Sequence, residues 1–215
     1  MTSLFSQIRN AGFILTVFAV VGTGVVAFTF GTTVERIAEN ERQAVLRLLS
    51  ALVPATQHDN DMLSDTITVL SPSMLGGKRP MNIYRARIEG EPVAAVFEVI
   101  APDGYNGKIK MLVAIHYDGI IAGVRIVSHK ETPGLGDDIE IERSDWILNF
   151  EGLSLSNPTE KGWHVRKDGG EFDQFTGATI TPRAVVKAVR KSLKYFSAHR
   201  EAVFLRDLED ESDNN

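Results

Sequence analysis

The chain has 215 residues, 43% hydrophobic and 24% charged, which is an ordinary composition for a globular domain with room for an appendage. Its 28 acidic and 23 basic residues give a net charge of −5, which argues against nucleic acid as a partner because such binding needs a basic surface. The absence of cysteine excludes disulfides, cysteine zinc sites and cysteine-ligated iron–sulfur clusters.

An apolar N-terminal helix is the first predicted element. No charged residue occurs between Arg9 and Glu35, and a helix needs about 20 apolar residues to cross a bilayer core. A cleaved signal peptide is the alternative, but its apolar region is only about 7–15 residues and ends at a small-x-small site, which this stretch does not offer. We therefore predict a retained transmembrane anchor over residues 11–34. It contains no ionisable side chain, so we expect any ion path to lie elsewhere.

The residues flanking this anchor predict its orientation. Arg9 is the base on the short N-terminal side, and the positive-inside rule then places residues 1–10 in the cytoplasm. The chain beyond the anchor would lie outside, which for a bacterial inner membrane means the periplasm. Apolar residues at helical spacing, followed by Pro54, predict a juxtamembrane helix over residues 35–53.

Residues 54–206 mix strand and helix signals, which predicts one domain of the α+β class containing a β-hairpin. Asp118 and Gly119 form a dipeptide typical of the type I′ hairpin turn, between two stretches of alternating or continuous apolar residues. The predicted strands are residues 92–100, 108–117 and 120–128.

Helical patterns follow the strands. Trp146, Ile147 and Phe150 stand at helical spacing that reaches back to Ile139. A longer amphipathic helix is predicted over residues 182–199, with inward Val185, Val186, Val189, Leu193 and Phe196. The acidic residues 207–215 predict a disordered tail.

Two loops contain residue types suited to ligand binding, and the first is residues 128–138. Leu135 stands there between Gly134 and Gly136. Glycine allows the backbone to approach a ligand closely, and Leu135 could then cover a flat ring. A leucine in this position could instead plug into the core, and the residues alone favour that interpretation.

The second loop precedes the C-terminal helix. Thr181 is predicted to be the helix N-cap and Pro182 the first helical residue, where the missing N–H costs nothing. Capping does not explain residues 176–179, TGAT, in which the Thr179 hydroxyl is sterically open at the positive end of a helix dipole. Such a place suits a phosphate group. A tight turn into a capped helix accounts for the same residues without any ligand.

Both loops resemble motifs of one family. Residues 173–179 match D-x-x-[S/T]-G-A-T, the flavinylation motif of FMN-binding domains, and residues 131–136 match the second motif, E-T-P-G-L-G. With the N-terminal anchor, the whole chain resembles the G subunits of Rnf-type ion-translocating oxidoreductase complexes, and the C subunits of the sodium-translocating NADH:quinone reductase form a related family. The residues that carry the resemblance are Asp173, Thr176, Gly177, Ala178 and Thr179 in one motif, and Glu131, Thr132, Gly134, Leu135 and Gly136 in the other.

The resemblance implies a cofactor and a role. FMN would be joined covalently to Thr179 through a phosphodiester, by a flavin transferase that uses FAD and a metal ion and reads Asp173 as part of the motif. The loop around Leu135 would then lie against the flavin ring, with Trp146 as a weaker candidate for contact. The protein would be an electron-carrier subunit rather than a self-sufficient catalyst, and its partners would be the membrane and the other subunits of the complex. No catalytic residue and no metal site is predicted.

Two other classes of function remain compatible with the sequence. A membrane-anchored sensory or assembly module would bind flavin reversibly and release it on denaturation. A structural exported domain without a ligand would use residues 176–182 only as a turn and a cap.

Overall fold

The structure, a computed structural model, describes residues 2–205 and divides into two compact units, one up to Arg47 and one from Leu48. Helix α1 spans Thr2–Leu52. The helical conformation predicted for residues 11–34 and 35–53 is therefore confirmed as one continuous helix. The acidic tail predicted over residues 207–215 lies outside the described residues.

The first unit contains the part of α1 that can span a membrane. Ser6–Val34 is 29 residues long, and its most apolar stretch of 18 residues has a mean hydropathy of 2.3. At 1.5 Å per residue it measures about 44 Å, against about 30 Å for a hydrocarbon core. Threonine hydroxyls are satisfied inside the helix, since Thr16 donates to the Gly12 carbonyl at 2.8 Å. Length, composition and internal hydrogen bonding make this segment competent to cross a bilayer.

The second unit is built on a five-stranded antiparallel sheet in which the strands lie side by side in chain order. The last three strands confirm the predicted ones, and the first two are additional to the prediction. The strands are β1 (Thr66–Val69), β2 (Met81–Ile88), β3 (Glu91–Gly104), β4 (Gly107–His116) and β5 (Ile121–Ser128).

The hairpin between β4 and β5 is confirmed, but the predicted type I′ turn is wrong. That turn needs a positive φ at both central residues, whereas Asp118 has none and Gly119 has a φ of 92°. The Gly119 N–H donates to the His116 carbonyl at 2.8 Å, and the Asp118 carboxylate accepts from the Ile120 N–H at 3.0 Å. The Asp118 side chain thus holds a longer loop that a left-handed glycine closes.

Helix α2 (Ile180–Phe204) covers one face of the sheet. Phe196 packs edge to face against Phe97 of β3, with the ring centroids 5.9 Å apart. The helix extends beyond its predicted end because one non-helical residue, His199, is followed by a further helical turn. The residues predicted to face inward are all buried: Val185, Val186, Val189, Leu193 and Phe196.

The opposite face of the sheet is covered by the last turn of α1, within the second unit. Leu49, Leu52 and Val53 are buried. A Cβ atom at Gly123 of β5 would lie 2.8 Å from Cδ2 of Leu52, so the absence of a side chain at Gly123 makes room for this contact. An antiparallel sheet with the long helices before and after its strands in the chain confirms the mixed α/β domain of the α+β class.

Short 3₁₀ helices lie between β5 and α2, at Asp137–Ile139, Asp145–Phe150 and Arg166–Asp168. The second of them confirms the helical spacing of Trp146, Ile147 and Phe150, all of which are buried. The pattern does not continue back to Ile139, because the Ser144 hydroxyl accepts from the Trp146 N–H at 3.1 Å and begins a new helix there.

The C-terminal end of α2 is held by two buried arginines of β2. Arg85 Nη1 donates to the Leu205 carbonyl at 2.8 Å, and Arg87 Nη2 donates to the Phe204 carbonyl at 3.0 Å. Both guanidinium groups also pair with Asp65. Cations complement the partial negative charge at a helix C-terminus. The two arginines thus fix the C-terminal end of α2, opposite the end that residues 176–179 precede.

Candidate functional site

Residues 131–136, here called the Glu131 loop, form a tight turn. The Leu135 N–H donates to the Thr132 carbonyl at 3.1 Å. Pro133 and Gly134 occupy the two central positions, and Gly134 has a φ of 75°. Proline in the second position and a positive-φ glycine in the third are the requirements of a type II turn. The Pro-Gly pair therefore sets the direction in which the chain delivers Leu135.

Residues 173–179, here called the Thr179 loop, contain a turn of the same kind. The Ala178 N–H donates to the Phe175 carbonyl at 3.2 Å, and Gly177 in the third position has a φ of 81°. A Cβ atom at Gly177 would lie 3.6 Å from Cδ2 of Leu135. The structure thus brings the two predicted motifs into contact with each other.

Leu135 lies at the surface of this contact and does not plug into the core. It is 44% exposed, which contradicts the core alternative. Two further exposed apolar residues adjoin the loops along the chain: Tyr105 at 66%, before the Asn106 that bonds to Thr132, and Ile180 at 43%, after Thr179. Neither is among the predicted site residues. Exposed large apolar side chains of this kind are candidates for contact with a ligand or a partner.

The predicted N-cap at Thr181 is wrong. Helix α2 begins at Ile180, and the residue in the N-cap position is Thr179, whose side chain makes no capping hydrogen bond. Thr181 is fully buried, and its hydroxyl donates to Oε2 of Glu131. An unpaired buried hydroxyl would cost about 1–3 kcal/mol. This cost explains why the Thr181 hydroxyl bonds to the buried Glu131 carboxylate and does not cap the helix.

Thr179 keeps a free hydroxyl at the start of α2. Its side chain is half-buried, and within residues 2–205 that hydroxyl makes no hydrogen bond. The first N–H groups of a helix have no intrahelical partners, and here Ile180 and Thr181 supply them because Pro182 has none. Backbone donors beside a free hydroxyl fit the phosphate group of a nucleotide.

Trp146 supports the Thr179 loop from the interior. Its indole Nε1 donates to the Asp173 carbonyl at 2.8 Å, and its ring meets Phe175 edge to face with the centroids 5.1 Å apart. Trp146 is only 6% exposed, so its role is one of packing and support. The Asp173 carboxylate pairs with Arg166 at 2.8 Å, and both side chains are more than half exposed.

The Glu131 side chain is buried beneath the two loops, with 5% exposure. Oε1 accepts from the Asn106 N–H at 3.0 Å, while Oε2 accepts from the Thr181 hydroxyl. The Asn106 amide also donates to the Thr132 hydroxyl at 3.0 Å. Asn106 is a site residue that the sequence did not reveal, because β4 and β5 separate it from its partners and no local pattern connects them.

An ion pair borders the Thr179 loop. Arg183 in the first turn of α2 donates from Nε and Nη2 to the two carboxylate oxygens of Asp168, at 2.6 and 2.8 Å. These hydrogen bonds lower the pKa of Asp168 and raise the pKa of Arg183. No group of three or more His, Asp or Glu side chains suited to a metal ion occurs among the residues that the structure describes.

Two family profiles match the chain. The profile described as the FMN-binding domain matches residues 104–194, which include both motif loops, and the profile described as the RnfG N-terminal region matches residues 1–52, the extent of α1. The fold and the paired loops therefore define a chain with an apolar N-terminal helix and an FMN-binding domain.

Relatives of similar length make the assignment more specific. The G subunit of the ion-translocating oxidoreductase complex of Vibrio cholerae is 47% identical, over 92% of this chain and 94% of its own. The corresponding G subunits of Pseudoalteromonas atlantica and Pseudomonas aeruginosa are 48% and 49% identical, each over more than nine-tenths of both chains. The chain belongs to the family of G subunits of ion-translocating oxidoreductase complexes.

One solved structure is more distantly similar. The C subunit of the Na(+)-translocating NADH-quinone reductase of Parabacteroides distasonis aligns with a TM-score of 0.42 and 18% identity, over 69% of this chain and 73% of that chain. The family assignment rests on the sequence relatives and not on this likeness.

Proposed function

We propose that Thr179 carries FMN through a phosphodiester and that the domain relays electrons within the ion-translocating oxidoreductase complex. The observation that carries this proposal is the free hydroxyl of Thr179 at the start of α2, beside the contact between Leu135 and Gly177. Of the three threonines in this stretch, Thr181 is excluded because it is buried and bonded to Glu131. Thr176 is exposed, but it lies within the turn and away from the helix start.

Attachment at Thr179 requires FAD as the co-substrate and a flavin transferase as the catalyst. The Thr179 hydroxyl oxygen attacks the phosphorus on the FMN side of the FAD pyrophosphate, and the P–O bond to the AMP side breaks. The hydroxyl loses its proton, AMP leaves, and no electrons are transferred in this step. Asp173, exposed at the surface beside Arg166, is available to the transferase as part of the motif.

The residues of this chain would hold the attached group in two ways. The Ile180 and Thr181 N–H groups, at the start of α2, would donate to the phosphate, and the helix dipole would stabilise its charge by about 0.3–1 kcal/mol. Leu135 and Tyr105 offer exposed apolar surface on which a flat ring could lie. The isoalloxazine supplies the electron chemistry when bound, while the protein supplies position and environment.

The apolar helix supports a membrane location for this function. We propose that residues 11–34 anchor the chain in a bacterial inner membrane, with residues 1–10 in the cytoplasm and the domain of residues 54–206 in the periplasm. Other subunits of the complex would be the electron donor and acceptor, which makes this chain a redox subunit and not a complete catalyst. A covalent bond suits an exported domain, because flavin lost there by diffusion could not be recovered from the cytoplasm.

A second function, reversible flavin binding in a sensory or assembly module, is favoured by the exposure of Leu135 and Tyr105, which would bind a ring without any covalent bond. The two functions differ in what denaturation does. A covalent flavin stays with the chain, whereas a reversibly bound flavin is released.

The test is to express the full chain with a flavin transferase and to examine it on a denaturing gel for flavin fluorescence. We expect fluorescence in the wild type and in Thr179→Ser, which keeps a hydroxyl, and none in Thr179→Val, which keeps the shape but has no hydroxyl. A peptide map by mass spectrometry locates the added FMN. Fluorescence that persists in Thr179→Val would refute the proposal, and colour lost on denaturation of the wild type would support reversible binding.

A further inference from the structure

We propose that Glu131 is a positioning residue that holds the Glu131 loop against the Thr179 loop and does not itself contact the flavin. This inference rests on the proposed attachment of FMN at Thr179. Leu135 reaches Gly177 only if the two loops keep their relative position. The buried carboxylate of Glu131 joins its own loop to Thr181 in the first turn of α2, directly after the Thr179 loop.

The contacts of Glu131 join three separate segments of the chain. Oε1 accepts from the Asn106 N–H at 3.0 Å in the turn between β3 and β4, and Oε2 accepts from the Thr181 hydroxyl in α2. The Glu131 N–H donates to Nδ1 of His129 at 3.0 Å, while Nε2 of that ring lies 2.8 Å from Oε1 of Glu140. Both carboxylate oxygens and the N–H of Glu131 are therefore occupied by protein groups, and the residue is only 5% exposed.

The space around Glu131 is shaped for a carboxylate. A Cβ atom at Gly136 would lie 2.9 Å from Cβ of Glu131 and 3.0 Å from the Thr181 hydroxyl oxygen. A Cβ atom at Gly104 would lie 3.0 Å from Oε1 of Glu131. Both glycines thus leave room for the Glu131 side chain, one within the loop and one beside the hairpin turn.

The hydrogen bond between Glu131 and Thr181 explains how a change at Glu131 would affect Thr179. Thr181 lies two residues beyond Thr179 in the first turn of α2, so a bond that fixes Thr181 also fixes the start of the helix. Removing the carboxylate leaves the Asn106 N–H and the buried Thr181 hydroxyl without this partner, and an unsatisfied buried hydroxyl is costly. We expect the Glu131 loop to move away from Gly177 in that case.

The test compares Glu131→Ala with Glu131→Gln in the full chain. Glutamine keeps the shape, accepts from the Asn106 N–H with its oxygen and donates to the Thr181 oxygen with its nitrogen. The two readouts are the rate of FMN attachment, followed by intact mass, and the visible circular dichroism of the attached flavin. We expect Glu131→Ala to attach FMN about tenfold more slowly, as loss of one buried hydrogen bond would do, and to lose most of the dichroism. Glu131→Gln should stay within about threefold of the wild type.

Two controls separate positioning from general destabilisation. Val124→Ala truncates a buried side chain of β5 away from the loops, and it should lower stability while the dichroism of the attached flavin stays unchanged. Thr181→Val should reproduce part of the effect of Glu131→Ala. The double variant should be no worse than Glu131→Ala alone, because both changes remove the same bond.

The outcomes distinguish this inference from the function on which it rests. A wild type that gains no FMN mass at Thr179 means that the proposed function fails. A wild type that is loaded at Thr179, together with a Glu131→Ala variant of equal rate and equal dichroism, overturns the role of Glu131 alone. A Glu131→Gln variant that attaches FMN as slowly as Glu131→Ala, with the same loss of dichroism, would also overturn the role of Glu131.

Discussion

The Glu131 loop and the Thr179 loop contain the same kind of turn but differ in how their polar side chains are bonded. Each has a glycine with a positive φ in the third position, Gly134 at 75° and Gly177 at 81°. The first loop is tied down from within, because its glutamate is buried and bonded to two other segments. The second loop is held by Trp146, which contacts the Asp173 carbonyl and the Phe175 ring, and its Thr179 hydroxyl is left free.

This difference separates the polar groups that hold the two loops in place from the polar group that is left without a hydrogen bond. Polar groups that fix the structure are withdrawn from solvent and fully bonded, as buried polar groups generally are. The Thr179 hydroxyl, which we propose to react, remains half-buried and unbonded. Thr179 and Thr181 thus have different surroundings despite identical chemistry and a separation of only two residues.

The largest expected effect tests the support beneath the Thr179 loop. Trp146→Ala should lower the free energy of unfolding by about 3–5 kcal/mol, since it empties a large buried volume. Trp146→Phe keeps most of the ring packing and loses the hydrogen bond to the Asp173 carbonyl, so we expect a cost of about 1 kcal/mol. Chemical denaturation of the full chain in detergent measures both. Equal losses in the two variants would mean that the hydrogen bond, and not packing, supports this loop.

The second prediction concerns the space beneath the Glu131 loop. Gly136 has a φ of −98°, which any residue can adopt, but a Cβ atom there would meet Glu131 and Thr181 at 2.9–3.0 Å. Gly136→Ala should therefore cost about 1–3 kcal/mol through overpacking. Unfolding in denaturant measures this loss. An unchanged midpoint would show that the buried carboxylate has room to move, contrary to the tight anchoring described above.

Sequence reasoning was most successful where the signal was local. The strands β3 to β5, the helix α2 and both motif loops follow from apolar spacing and from short motifs. Strand β2 was not predicted, because arginine usually faces solvent and the strand contains two, Arg85 and Arg87. Both are buried. Their charges are matched by Asp65 and by the carbonyls at the end of α2, and these partners cannot be located from the strand's own sequence.

The errors at the site have the same physical origin. Thr181 has the local pattern of an N-cap, but a carboxylate 50 residues earlier in the chain offers its hydroxyl a buried partner.

The hairpin turns show a similar limit of local patterns. A turn with two positive φ values was predicted at Asp118 and Gly119, but such a turn is found at Glu89 and Gly90, with φ values of 51° and 84°. Glutamate is unusual in such a turn, and a contact from outside the hairpin accompanies it, since the Glu89 N–H donates to the Asp59 carboxylate at 2.7 Å.

The third prediction tests whether the two turns are equivalent. Gly134→Ala and Gly177→Ala should each cost about 1–2 kcal/mol, because alanine resists the left-handed conformation. Neither new methyl group meets a close contact, since Gly134 has open space and Gly177 meets Leu135 at 3.6 Å. Asparagine at either position should cost less than alanine. Thermal unfolding of the four variants checks this, and a much larger loss at one glycine would show that the two turns are not alike.

The smallest expected effect is the pH dependence of the ion pair beside the Thr179 loop. The Arg183 guanidinium lowers the pKa of Asp168 in the folded protein. The pair therefore adds stability above the unfolded-state pKa, about 3.9, and this contribution disappears as the pH falls through the lower folded pKa. Arg183→Gln should be less stable than the wild type at pH 7, and the difference should shrink below about pH 4. Denaturation at pH 7 and pH 3 measures it. In an Asp168→Asn background the same substitution should show no such change with pH, so a difference that persists there would have to come from contacts of Arg183 other than this pair.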